Sequence, residues 1–290
     1  MRKVSVIAAL GSIFLLSLAA AAQDHQAPKV IQIVREEIKT GKMAAHSIEA
    51  NNTVQIWAKA KSGHHRLAMV PIAGNENEVL YFWPFESYAE LERSGRDLDQ
   101  VAVTYQADFD RISANNKGED LHVSQRDSIA MLRPDLSYNP NVDITKMRFM
   151  RVEMIRLKPG TNRDWEEGRR MMKAAHEKAK IDENMLVYQI VGGMQANTFM
   201  VLFPWKSLEG LATIPHGKDY WDAMGDGNRD KLDKINSESI VLDDVGIYGF
   251  NPQLSYVPAE FATADAFWKF KPMGSAPQPA VTAVKKPVKR

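Results

Sequence analysis

Seven histidines and one charged pair on a strand are the residues through which this sequence can do chemistry. His25 stands in a polar lead, and His64-His65 break a helical stretch; all three read as exposed loop positions. His122 opens a strand with no partner near it in sequence. No HExxH or other compact ligand spacing occurs, so the sequence points to no metal. His176 lies four residues after Met172 and eleven after Trp165, which sets it beside the apolar face of its helix. His216 follows Trp205 by eleven residues, with Tyr220 and Trp221 close behind. Each also has a plainer reading, a packed ring for His176 and a loop histidine for His216. Arg151 and Glu153 share one face of a strand. With Met150, Val152 and Met154 turned to the helices, they are expected between two sheets. There they form a buried ion pair, or, beside a cavity, a carboxylate anchor and a base.

The bulk numbers narrow the classes. The chain has 290 residues, long enough for two domains, and no cysteine. Disulfides, thiolate metal sites and cysteine nucleophiles are thereby excluded. A net charge of +1 gives no general pull toward nucleic acid or membrane. Arg2 and Lys3, an apolar run and Ala20-Ala21-Ala22 read as a signal peptide over residues 1–22, so export to the periplasm or exterior is expected, with no lasting membrane insertion. The tail over 272–290, rich in Ala, Pro and Lys, reads as disordered. Gly192-Gly193 joins two strands rather than opening a helix, so it is a turn and not a nucleotide cradle.

The elements that must position these residues occur twice. Pro134-Asp-Leu-Ser-Tyr-Asn-Pro140 returns as Pro252-Gln-Leu-Ser-Tyr-Val-Pro258, 118 residues on. Trp83-Pro84-Phe85 returns as Phe203-Pro204-Trp205 at an offset of 120, and Lys39-Thr40-Gly41 as Lys158-Pro159-Gly160 at 119. Three matches in one order indicate duplication over residues 29–140 and 147–258. At that offset His46 corresponds to Trp165 and Trp57 to His176, as if both places take a bulky ring. Each unit reads strand–helix–strand–strand–helix–strand. Strands are expected at 30–34, 66–72, 78–85 and 123–132, then 147–157, 185–191, 198–203 and 241–250. Helices are expected over 43–61 and from Asn162 or Asp164 to Ile181. Ser87 and Glu90 form a capping box. Phe261 to Phe270 is a short aromatic stretch.

This order resembles the dimeric α/β-barrel superfamily, with the usual homodimer fused into one chain. The resemblance implies an α+β fold of two tandem ferredoxin-like βαββαβ domains packed sheet to sheet. Haem-degrading monooxygenases of the superfamily use a Trp near the end of strand three, a His on the next helix and an Asn on strand one. Trp205 and His216 are similar to two of these; strand one offers Arg148, Arg151 and Glu153 but no Asn. The first reading is an exported protein that binds a small apolar or aromatic molecule between sheet and helices, near Trp165, Met172, Trp205 and Tyr220. The alternatives are a monooxygenase-like or haem-using oxidoreductase centred on His176 or His216, and a non-catalytic assembly module. Homo-oligomers are compatible with all three.

Overall fold

The computed structural model describes residues 26–115, 118–213 and 217–273. The expected signal segment, His216 and the tail beyond 273 lie outside the described residues. Eight strands alternate with helices along the chain: β1 (Val30–Ile38), α1 (Met43–Ala60), β2 (Leu67–Ala73), β3 (Glu78–Phe85), α2 (Tyr88–Thr104), α3 (Gln106–Asn115) and β4 (His122–Leu132). There follow β5 (Phe149–Leu157), α4 (Asn162–Ala179), β6 (Leu186–Gly192), β7 (Thr198–Trp205), α5 (Lys218–Met224), α6 (Asp226–Ser239), β8 (Ile240–Phe250) and α7 (Ala259–Ala264). None of the described helices is long and apolar enough to cross a membrane.

The strands close an antiparallel barrel in the order β1-β3-β2-β8-β5-β7-β6-β4. The first four strands run β4-β1-β3-β2 and the last four β8-β5-β7-β6. The halves meet in two ways. Their inner faces pack across the lumen, where Ile31, Ile33, Leu80 and Phe82 share one core with Met150, Val152, Tyr188, Met200 and Leu202. Their edges also pair, Met69 opposite Phe250 on one side and Ala130 opposite Ile190 on the other. An eight-stranded barrel has an interior wide enough for side chains or one small ligand; its middle is apolar, and toward one end Arg35, Arg126 and Ser128 line the opening.

Local signals explain most boundaries. Ser87 Oγ accepts from the Glu90 N–H at 3.2 Å as its N-cap, but the Glu90 carboxylate accepts from Glu86 N–H at 2.8 Å, one residue earlier than a capping box has it. Neither Asn162 nor Asp164 caps α4; Thr161 holds that position. Gly225, at φ 80°, separates α5 from α6. The aromatic stretch is a cap on the barrel: Trp268 is 1% exposed and belongs to the lumen core, with Phe261 and Phe267 packed against it.

Arg133 ties the β4–β6 edge to α4. Its backbone N–H donates to Val187 O. Its guanidinium donates to Glu166 at 2.7 Å, to Gln189 at 3.1 Å and to Asp135 at 2.9 and 2.8 Å. These bonds hold the Asp135 and Glu166 carboxyls below their usual values of 3.8 and 4.5. A lowered folded pKa adds stability that is complete above the unfolded value and fades as pH falls through the folded one. Arg133→Met is expected to cost about 1–3 kcal/mol at pH 7. In urea unfolding from pH 7 to 3, the gap to wild type should narrow; a gap independent of pH would refute the linkage.

Candidate functional site

The inward and outward faces of β5 are the reverse of the sequence expectation. Met150, Val152 and Met154 fill the lumen, while Arg151 and Glu153 point outward under α4. The reason is chemical. The narrow lumen takes apolar chains from both halves, whereas the helix layer brings Arg169 of α4 toward Glu153. Arg151 and Glu153 form an ion pair, and Arg151 lies 5.1 Å from the Phe203 ring centre. Burial raises the Glu153 carboxyl, with Arg169 and Arg151 pulling it back. Arg169, 6% exposed, stacks on Trp165 at 4.8 Å. This is the closed ion pair, one of the two readings of the sequence.

The space between sheet and α4 is filled rather than hollow. Trp165, fully buried, packs on Phe199 with ring centres 4.4 Å apart. Trp205 belongs to the same cluster. Tyr220 and Met172 sit in a second cluster among α4, α5 and α6. His176 is 1% exposed. Its Nδ1 donates to Met172 O at 2.7 Å, and its Nε2 lies 3.0 Å from Glu183 Oε2. Tyr138 and Tyr220 flank the ring at 5.0 and 4.8 Å. Both ring nitrogens are therefore occupied.

The open space lies in the lumen. At the end where β1 and β5 begin, a cavity of about 520 Å³ enters the barrel. Ile31, Phe82, Met150, Leu186, Tyr188 and Leu202 form its floor, and Val257, Pro258 and Phe261 of the C-terminal cap form one wall. Tyr188 is held in place by its hydroxyl, which donates to Pro28 O at 2.9 Å. A second cavity of about 670 Å³ opens at the other end, and Phe82 lines both. None of the seven described residues singled out in the sequence, from Arg151 to Tyr220, lines either one.

The rim of the first cavity is acidic. Glu86, Glu90, Asp97 and Asp143 lie on it, against Arg66 and Arg93. Arg66 is 6% exposed, boxed by Trp57 and Tyr81 at 4.4 and 4.0 Å. His64 bonds Ser94 Oγ through Nδ1 at 2.6 Å, and Asp97 stands 3.7 Å from its Nε2. Burial lowers the His64 pKa, with Asp97 and Glu90 acting against it, so the ring is neutral at pH 7. His64 Nε2 is enclosed and makes no hydrogen bond.

These residues were missed because His64 reads as a loop position and the lumen residues read as ordinary core. The signal that finds them is alternation. Leu186 and Tyr188, or Phe82 and Pro84, fall on one face of their strands, and that face becomes the lumen only once the barrel closes.

No family model matches this chain, and no curated protein matches it. Solved structures of similar fold include a candidate monooxygenase of Fusobacterium nucleatum, 13% identical over 77% of this chain and 93% of that one, at TM-score 0.48. An anthrone oxidase-like protein is 8% identical over 79% and 93%, at TM-score 0.46. A heme-binding protein of Thermus thermophilus is 8% identical over 79% and 96%, at TM-score 0.42. The fold itself is read from the strand order: the chain is an α+β protein built on an eight-stranded antiparallel barrel.

Proposed function

We propose that this is an exported protein, duplicated from one ferredoxin-like unit, that binds a small apolar molecule in the mouth of its barrel. The observation that carries the binding is the 520 Å³ cavity. Its size and its mainly apolar lining suit a small organic ligand. Four carboxylates against two guanidiniums on the rim favour a neutral or cationic ligand over an anionic one. The repeated strand order and the repeated Ser-Tyr segments support the duplication.

Neither His176 nor His64 offers haem a free axial nitrogen. His176 has both nitrogens engaged, and His64 Nε2 is enclosed and faces Asp97. Haem carboxylates would also meet the acidic rim. The haem-using alternative therefore rests on His65, which lines the cavity with its Nδ1 unbonded, or on His216, and the assembly-module alternative has no use for a cavity of this size.

Uptake of a neutral apolar dye, Nile red, by the full chain tests the proposal. Leu202→Trp fills the floor and is expected to weaken uptake at least roughly 10-fold, for an overpacking cost of about 1–3 kcal/mol. The anionic dye anilinonaphthalene sulfonate should bind more weakly than Nile red. Equal uptake by wild type and Leu202→Trp would sink the lumen as the binding site. A sharp haemin spectrum lost in His216→Ala would instead make this a haem-binding protein and move weight to the oxidoreductase reading.

A further inference from the structure

The helix-facing side of the first half holds a cluster that the cavity does not use. Glu36 stands near the end of β1, His46 in the first turn of α1 and His122 at the start of β4. Pairing of β1 with β4 sets Ile38 opposite His122 across a bulge. The turn at Gly41, φ 77°, then brings α1 back over both strands. His46 is 3% exposed, and its Nε2 lies 2.8 Å from Glu36 Oε2. His122 Nε2 lies 3.6 Å from the same oxygen. All three donor atoms fall within 4.8 Å of one another. His122 Nε2 is buried and has no hydrogen-bond partner.

A supporting shell is present. His122 Nδ1 faces Asp120 Oδ1 at 3.4 Å, and that oxygen also accepts the His122 backbone N–H at 3.0 Å. Lys39 Nζ holds the Asp120 carbonyl at 2.7 Å. A carboxylate behind a histidine is the usual way in which a metal-ligating ring is oriented. Burial raises the Glu36 carboxyl, but the hydrogen bond and charge of His46, with His122 and Arg66, outweigh it and leave it below the ordinary value.

Packing alone does not demand these residue types. In the second half Leu157 faces Ile240 across the matching bulge of β5 and β8. There the corresponding places hold Ile155, Trp165 and Ile240, all in one apolar cluster. Where the second half packs hydrocarbon, the first half gathers two imidazoles and a carboxylate and bears their desolvation.

We propose that Glu36 Oε2, His46 Nε2 and His122 Nε2 bind one divalent first-row transition ion of the zinc class. A tetrahedral ion about 2.1 Å from each donor sets the donors roughly 3.4 Å apart. The 3.6 Å contact already matches this, and the 2.8 Å hydrogen bond opens when its proton leaves. Two nitrogens and one carboxylate without thiolate suit zinc or iron(II). Three protein ligands leave a coordination position free, on the side where the His122 side chain is 27% exposed. The site is separate from the lumen, so it stands or falls independently of ligand uptake there.

The test is calorimetric titration of the chelator-treated full chain with zinc, alongside the visible spectrum with cobalt(II). One equivalent is expected to bind, with cobalt bands of a nitrogen–oxygen site. His122→Gln and Glu36→Gln should each weaken zinc by more than about 100-fold, and the outer-shell change Asp120→Asn by about 10–100-fold. His122 is partly exposed, so its variant should keep the wild-type circular dichroism and Nile red uptake. No zinc uptake by wild type, or uptake unchanged in His122→Gln, would reduce the cluster to a buried histidine–carboxylate pair and overturn the proposal.

Discussion

Trp268→Ala is expected to destabilise the protein by about 3–5 kcal/mol and to open the lumen cavity to water. The indole is 1% exposed, with Phe250, Phe261 and Phe267 around it at 5.6, 5.4 and 5.1 Å. Its Nε1 donates to Thr145 O at 2.8 Å, so truncation also removes the shorter of that carbonyl's two hydrogen bonds and leaves it only Arg148 Nη1 at 3.2 Å. Arg148 pairs with Asp265 and lies 4.2 Å from the Phe267 ring centre, fastening the same segment from the barrel side. Trp268→Phe keeps most of the packing and should lose much less. Urea midpoints give the stability, and Nile red release rates give the opening. A loss under about 1 kcal/mol for the alanine variant would make residues 259–268 a loose appendage.

Gly193→Ala should damage the barrel nearly as badly, for a backbone reason. The residue sits just beyond β6 at φ 84°, where an added Cβ would lie 2.0 Å from Asp127 O and 2.7 Å from Ser128 Cα. The left-handed conformation alone costs about 1–2 kcal/mol. The clash comes on top, because the obstacle is main chain of β4 and cannot rotate away. Gly160 provides the control: its φ is 89°, but a Cβ there meets nothing within 4 Å. Gly160→Ala should therefore show the conformational cost alone. Equal midpoints for the two variants would mean that β4 and β6 can separate at no cost.

Much of the fold was legible because it is written in periods. Strand–helix–strand–strand–helix–strand appeared twice, and most strand boundaries fell within two residues of β2 to β8. The chief exception is β1, expected over 30–34 but running to Ile38, because the charged run Arg35, Glu36 and Glu37 lacks the β-branched signal and is held as strand by pairing with β3 and β4. The site was less legible, since alternation names the two faces of a strand without saying which is inside. Met150 and Arg151 were assigned the wrong way round for that reason. In sequence His46 corresponds to Trp165 and reads only as a bulky ring. Its partners Glu36 and His122 lie on strands that meet only through the pairing of β1 with β4, and no spacing in the chain encodes that meeting. Arg169 gives no signal of its own: it stands on α4, and its partner Glu153 lies on β5, sixteen positions back in the chain.

The edge pairings also govern when the molecule can be completed. β2 depends on β8, with Met69 opposite Phe250. As the chain leaves the ribosome, the first four strands can assemble with both outer strands unpaired. β4 gains a neighbour once β6 emerges, but β2 waits for the last strand of the sheet. Such distant partnerships slow folding and leave a bare strand edge exposed in the meantime. The nascent protein is thus most vulnerable to joining another copy of itself late in synthesis, and a host short of chaperones should show that loss in yield before any loss in the stability of finished molecules.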